Sequence, residues 1–457
     1  MSSHASPADS TLAGQRRWWR VGQNAGALAG ARVVSGLCQL MLVPLLLGLL
    51  GTETFGWAMA LAALAGLSQF ADLGSAMALQ QKLSEAWARG DQAGLRTTYA
   101  SGAQLLARLG AGWFICAIPA AWWLGSHLLT VPPGAGELPA RISWLVVAVA
   151  ATVGVPLSAG PRLAAAIQSG WIHAGWTAAA NVGIVIAAWA LARNGSGGPV
   201  VMVSLLCAGQ LIPGALTAIH VKRRLGWRGR ATADALVVRQ VWHAGRKFAA
   251  ANLAGALLTA AAPAAVARFG GYGASAAFSI LQRLFGTAQQ AHAMALAPLW
   301  PAWAEAVGHG EDAWIRRSLR LALAFTLAVC AALVLMAAAL PAIVHVWLGA
   351  GAIVPSAASA WLVATWIGAS MFAQTLSYFL LGLGRLERVA MRVAVAHACT
   401  FAAVGVLGSF LGGTGVIAAL AAGAALGALP VVACEAAAAG RDLARKDSTG
   451  GAAAVNL

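Results

Sequence analysis

Twelve long apolar runs govern what this chain of 457 residues can fold into. They cover about 24–49, 55–80, 100–125, 142–168, 172–193, 199–220, 247–268, 274–299, 319–347, 357–382, 389–411 and 414–437. A bilayer core takes roughly 20 apolar residues of helix. In hydrocarbon every backbone N–H and C=O must be paired within the protein, so only helices and closed barrels cross it. Barrel strands alternate polar and apolar residues. These runs do not alternate, and they are rich in Ala and Leu. The sequence therefore predicts an all-α integral membrane protein of about 12 transmembrane helices. With only 10% charged residues, against about 25% in soluble domains, it could not cover a soluble surface.

The net charge of +16 fits loops beside a membrane better than a nucleic-acid surface, because Lys and Arg mark cytoplasmic connections. If the N-terminus is inside, Arg141, Arg193 and Arg268 fall outside, and Arg32, Arg108, Arg162 and Arg283 fall within spans. The remainder of the 30 Lys and Arg fall inside. The opposite orientation would reverse that bias, so the expected topology is N-in, C-in. The first run follows Arg16, Arg17 and Arg20 and exceeds a signal-peptide core in length, so it is expected to stay as the first helix. Six isolated Cys lack the spacing of a metal site or disulfide framework. No GxxxxGK[ST] occurs, so direct ATP use is not expected. No cofactor, metal or nucleic-acid partner is expected.

A charged segment occurs twice. EAWARGDQAGLR (85–96) aligns with EAVGHGEDAWIR (305–316), matching Gly90 with Gly310, Asp91 with Glu311, Leu95 with Ile315 and Arg96 with Arg316. The chain holds only 14 acidic residues, so these matches carry weight. Gly170 pairs in the same manner with Gly384, and Gly198 with Gly412. A duplicated six-helix unit explains the pattern. The expected organisation is an N-terminal segment 1–23, an N-lobe 24–220, a basic linker 221–246, a C-lobe 247–437 and a tail 438–457. Parallel repeats of this kind occur in transporters, with the substrate near the midplane.

Polar residues within the spans fall in stripes. Arg32, Ser35 and Gln39 share one face of helix one. Ser279, Arg283, Thr287 and Gln290 share a face of helix eight. Ser101, Gln104 and Arg108 repeat the pattern in helix three, Asn252 and Thr259 in helix seven, and Ser370, Gln374 and Ser377 in helix ten. An Arg at mid-bilayer costs about 2.5–3.5 kcal/mol, so each should face water, a ligand or the bundle interior. Asp72 is the one carboxylate near a span interior; pairing with Arg108 or weak ion coupling are its expected roles. His292 and His397 are embedded, and packing is the plainer role for each. The GxxxG patterns at 26–30 and 423–427 fit close helix packing.

The loop after the second helix lacks the Asp-Arg pattern of major facilitator transporters. LLGTETFGWAMAL (49–61), DLGSAMALQQKLSEAWARGD (72–91), AAIQSGWIHAGW (165–176), PLWPAWAEAVGHGEDAWIRRSLR (298–320) and LLGLGRLERVAMRVAVAH (380–397) instead resemble the MOP (MATE-like) exporter superfamily, within it the Wzx-type polysaccharide flippases. The resemblance implies two six-helix lobes around a central cavity lined by helices one, two, seven and eight. It implies a non-enzymatic flippase in the bacterial inner membrane that carries undecaprenyl-diphosphate-linked oligosaccharide of O-antigen or exopolysaccharide type. Its expected partners are that lipid-linked oligosaccharide, membrane lipids and other polysaccharide assembly proteins. Guanidinium groups bind phosphate bidentately. The expected substrate residues are therefore Arg32, Ser35, Gln39, Arg108, Asn252, Ser279, Arg283, Thr287, Gln290 and Gln374. The alternative is a cation-coupled multidrug exporter of the MATE type, with Asp72 as its carboxylate. A polymerase or ligase would want a large catalytic outer loop. Peptidoglycan-precursor flippases often carry helices beyond twelve.

The expected topology is checked with reporter fusions. A green fluorescent protein at the C-terminus should fluoresce, alkaline phosphatase inserted in the connection 126–141 should be active, and phosphatase fused after Gly229 should be inactive.

Overall fold

A computed structural model describes residues 7–66, 71–132, 136–195, 197–229, 231–296, 299–309, 311–349 and 353–454. Helices account for nearly all of them, in chain order α1 (Pro7–Ala65), α2 (Ser75–Ala88), α3 (Gln92–Leu128), α4 (Glu137–Leu157), α5 (Ala159–Ala166), α6 (Gly170–Arg193) and α7 (Pro199–Arg224). There follow α8 (Ala235–Leu296), α9 (Leu299–His309), α10 (Asp312–Ala338), α11 (Leu340–Leu348), α12 (Ala357–Gly382), α13 (Glu387–Ala422), a π-helical turn (Gly423–Ala428) and α14 (Leu429–Ala454).

The described residues hold seven stretches long and apolar enough to cross a membrane. Two of them, Ala29–Ala65 and Arg388–Leu443, contain two helical legs each, joined at Gly51 and Gly412. The apolar stretch of α12 is diluted by Thr365, Ser370, Gln374, Thr375 and Ser377, and α12 is not among the seven. Large apolar side chains cover the exterior, including Val346 at 85%, Phe410 at 81% and Ile115 at 73% exposed. An apolar surface of this extent needs lipid against it. The chain is a multi-pass, all-helical integral membrane protein.

Two compact units make up the fold. One comprises Met1–Leu45, Ala71–Trp123 and Ile142–Phe248; the other comprises Leu46–Phe70, Leu124–Arg141 and Ala249–Leu457. The first is packed around Leu79 and Leu83 of α2, Leu95 and Leu106 of α3, Val155, Leu163, Val221 and Val241. Its basic segment is tied down: the Arg96 guanidinium donates to the carbonyls of Arg228 and Gly229, and the amide of Asp234 donates to Ser101 Oγ at 2.8 Å. The second unit has one core of Phe278, Leu281, Phe285, Val363, Ile367 and Val416, with Phe278 stacked on Trp366 at 6.0 Å. Another gathers Trp303, Ile315, Phe379, Leu380 and Val389, where Trp303 Nε1 donates to Ser318 Oγ at 2.8 Å.

The charged repeat has a matching backbone. The amide of Asp91 donates to Ala86 O at 3.1 Å, and that of Glu311 to Ala306 O at 2.9 Å. Leu95 and Ile315, next in each copy, donate to Asp91 O and Glu311 O and are both fully buried. Asp91 Oδ1 also accepts from the amide of Gly94 at 2.7 Å, which caps α3, whereas Glu311 makes no such capping bond. The same 220-residue offset links Gly51 (φ 67, ψ 173) with Gly271 (φ 80, ψ 174). This backbone region is open essentially to glycine alone.

Other expected details are revised. Helix two does not run unbroken over 55–80. α1 ends at Ala65, Leu73 (φ 50) and Gly74 (φ 75) are left-handed, and α2 begins at Ser75. Run four is divided at Ser158, just after Pro156, and run nine at Ala339, just before Pro341. Proline lacks the N–H that would continue a helix. Gly170 is two residues off as the equivalent of Gly384. The left-handed residue there is Gln168 (φ 58), and Ser169→Ala164 O matches Arg385→Leu380 O, both at 2.8 Å. Gly198 is extended (φ −83, ψ 166) while Gly412 has φ 63, so their turns differ. Of the GxxxG glycines, a Cβ on Gly30 would meet nothing within 4 Å, whereas one on Gly423 would lie 2.1 Å from Thr400 Oγ1.

A Cβ on Gly51 or Gly271 would meet nothing within 4 Å, so Ala there pays for backbone strain alone, about 1–3 kcal/mol. Gly48, also with open space but inside the regular part of α1, should gain stability on Gly→Ala. Thermal unfolding in detergent should show lower midpoints for G51A and G271A and an unchanged or higher one for G48A.

Candidate functional site

Within the first unit, charged and polar groups surround the turn at 72–74 that leads into α2. Asp72 is 4% exposed. Its Oδ1 accepts from the amide of Gly74 at 2.8 Å and its carbonyl accepts from Ser75 at 2.9 Å. A short side chain bonding two residues ahead is the local device that stabilises such turns. The carboxylate therefore starts α2. The Ala71 carbonyl, freed by the same break, accepts from Trp113 Nε1 at 2.8 Å.

The cation facing Asp72 is Arg162 on α5, and the two interact electrostatically. This corrects the expectation that Arg108 would be its partner. Arg162 Nη1 also reaches Gln80 Oε1 at 3.2 Å and Met77 Sδ at 3.0 Å, both on α2. His173 on α6 joins Thr217 Oγ1 of α7 through Nδ1 at 3.1 Å and lies within electrostatic reach of both Arg162 and Arg32. His173 thus lies in the field of two cations, Arg162 and Arg32, the first of which also acts on Asp72. Ser35 donates to Ala31 O at 2.9 Å, and Gln39 is engaged by another residue. Arg108 stands apart. With Gln104, Arg239 and Trp242 it lines a groove of about 590 Å³ between α3 and the start of α8.

In the second unit, Arg283 lies one turn after Ser279 on α8, and its Nη2 contacts Met59 Sδ at 3.7 Å. Ser279 is 2% exposed, and its hydroxyl has no hydrogen-bond partner among the described residues. Thr287 donates to Leu284 O at 2.7 Å, and Gln290 is exposed. The side chain of Asn252 lies outside the described residues. Gln374 donates through Nε2 to Tyr378 Oη at 3.4 Å and lines a separate cavity of this unit. His292 is fully buried: Nε2 meets Thr326 Oγ1 at 2.9 Å and Thr375 Oγ1 at 3.3 Å, and the ring stacks on Phe325. That is a packing role.

Arg162 was placed within a span but was not among the expected substrate residues, and His173 was not singled out. Both were visible as polar residues in or beside passages that carry the family resemblance. What spacing could not supply was the approach of α5 and α6 to the break at Asp72.

Solved structures supply the comparison. An inward-facing multidrug resistance MATE family transporter of the MOP superfamily superposes with a TM-score of 0.68 at 15% identity, over 92% of this chain and 99% of that one. The chain has the MATE fold. A eukaryotic MATE transporter aligns at TM-score 0.63 and 14% identity, covering 94% and 98% of the two chains. A MOP superfamily transporter from Pyrococcus furiosus, described by a binding pocket of reversed polarity suggesting a different function, aligns at 0.60 and 13%, covering 92% and 96%. No protein-family profile and no curated protein matches the chain.

The Asp72–Arg162 interaction is measurable by a double-mutant cycle. Combining Asp72→Asn with Arg162→Gln should give a coupling of about 0.5 kcal/mol or more in unfolding free energy, whereas Asp72→Asn with Arg108→Gln should be additive.

Proposed function

We propose that this MATE-fold chain is a transporter that moves an undecaprenyl-diphosphate-linked oligosaccharide, of O-antigen or exopolysaccharide type, across a bacterial inner membrane. The observation that supports it best is that Arg32 and Arg162 both lie within electrostatic reach of His173 in a membrane-embedded unit. Two guanidinium groups acting on one site suit a diphosphate, which each can grip with paired N–H donors. Arg283 adds a cation on α8, and the hydroxyl and amide residues of α8 and α12 suit sugar hydroxyls. The residues proposed to hold substrate are Arg32, Arg162, Ser279 and Arg283, with Ser35, Gln39, Arg108, Asn252, Thr287, Gln290 and Gln374 as further contacts. N-in, C-in topology would open the basic connections to the leaflet where the carrier lipid is loaded. Lipids and polysaccharide assembly proteins are its proposed partners.

A second reading, a cation-coupled multidrug exporter, draws on the multidrug transporters of the same fold and on buried Asp72. Against it, Asp72 is occupied by the amide of Gly74 and faces Arg162. A carboxylate already engaged by a backbone amide and near a fixed cation is poorly placed to attract a cationic drug.

Deletion in the source cell separates the two. Under the first reading surface polymer is lost, and intact repeat units collect on undecaprenyl diphosphate at the inner leaflet. Complementation with Arg32→Gln/Arg162→Gln, inserted normally, should restore less than about a tenth of the polymer, since losing charge-assisted bonds to phosphate costs about 1.5–3 kcal/mol each. Unchanged glycan with raised sensitivity to cationic dyes would favour the second.

A further inference from the structure

A cavity of about 490 Å³ lies within the second unit, walled by α8, α12, α13, the π-helical turn and α14. That volume is in the ~300–1,000 Å³ range of small-molecule sites. Its polar wall consists of Thr259, Ser370, Gln374, Ser377, His397 and Thr400. Among the described residues no Asp, Glu, Lys or Arg lines it.

The hydroxyls of this wall have a one-sided hydrogen-bonding capacity. Thr259 donates to Gly255 O at 3.1 Å, Ser370 to Trp366 O at 2.7 Å, Ser377 to Ala373 O at 2.7 Å and Thr400 to Ala396 O at 2.8 Å. Each hydroxyl has one proton, which is thereby spent, and only acceptor lone pairs remain. Gln374 Nε2 spends one of its two N–H donors on Tyr378 Oη, and the His397 ring adds one donor and one acceptor when neutral. The buried Gln374 Oε1 is within hydrogen-bonding reach of the His292 ring, which can satisfy at most one of its two lone pairs. Among the described residues the cavity is therefore richer in acceptors than in donors and has no Asp, Glu, Lys or Arg in its wall. A buried ammonium or metal cation would lack a compensating carboxylate. An uncharged ligand with many O–H donors meets every condition. Trp366 supplies an apolar aromatic wall, suited to the C–H face of a ring.

The backbone is shaped around this space. A Cβ on Gly255 would lie 2.5 Å from His397 Cε1, and a Cβ on Gly423 would lie 2.1 Å from Thr400 Oγ1. Both glycines let the polar side chains sit back in the wall instead of filling the cavity. Gly423, Ala424 and Ala428 of the wall belong to the π-helical turn, a distortion found frequently at functional sites.

We infer that this acceptor-lined cavity binds one uncharged pyranose-like sugar through its hydroxyl donors, with Trp366 against the ring. The inference deepens the flippase reading and rests on it for the sugar's origin in a lipid-linked oligosaccharide.

The test uses the purified full chain in nanodiscs and saturation-transfer NMR with glucose, galactose, rhamnose and N-acetylglucosamine, each at on the order of 10 mM, which detects Kd values in the millimolar range. At least one sugar should bind. Gln374→Leu and Ser370→Ala, checked for an unchanged thermal midpoint, should each weaken it about three- to tenfold, the range for one lost neutral hydrogen bond. Thr365→Val, on the exposed side of α12, should leave binding intact. If no sugar binds, or binding is insensitive to Gln374→Leu and Ser370→Ala, the inference fails, and the cavity holds only water. If instead ethidium binds there and displaces sugar, it also fails. Because the deletion experiment reads polymer export and this one reads sugar binding to the isolated chain, either can fail while the other holds.

Discussion

Every backbone amide in a bilayer must find its partner inside the protein, at a cost of several kcal/mol for each that does not. That constraint makes the chain helical and confines its irregular backbone to a few places. Gly51 and Gly271 join helical legs without a loop. At Asp72 the carboxylate replaces a missing helical acceptor, and Trp113 caps the carbonyl of Ala71. The proposed substrate cluster forms beside this break.

Charge follows from the same economy. Asp72 and Arg162 each carry a desolvation penalty that the other offsets in part. With Arg162 turned toward Asp72, Gln80 and Met77, α5 is bound to α2 by polar contacts as well as by Leu163 and Leu79 in the core. Arg32 is exposed. It is therefore the freer of the two to meet an anion, with Arg162 setting the local potential.

The helices were legible because twenty apolar residues in a row admit few other folds. The repeat was legible at Asp91 and Glu311, where acidic residues are scarce. Its most faithful element, Gly51 with Gly271, was hidden among 53 glycines, since conformation at a glycine leaves no mark in composition. The break at Leu73 and Gly74 was hidden by the apolar residues around it, and hydropathy does not sense a left-handed backbone. Spacing along one helix recovered Arg283 beside Ser279 but could not reveal that His173 lies within electrostatic reach of Arg162 and Arg32, which are on other helices. The cavity walled by Gln374 and His397 depends on four helices and a π-helical turn, so no single stripe announced it.

The hydroxyl groups of α12 have a mechanical consequence. Thr365, Ser370, Thr375 and Ser377 each give a second donor to the carbonyl one turn back. Bonds shared in this way loosen the backbone ladder and favour bending. In lipid, where water cannot step in, they also keep those carbonyls satisfied while the ladder stretches. α12 thus carries four carbonyls, those of Trp361, Trp366, Met371 and Ala373, that stay paired where its ladder bends.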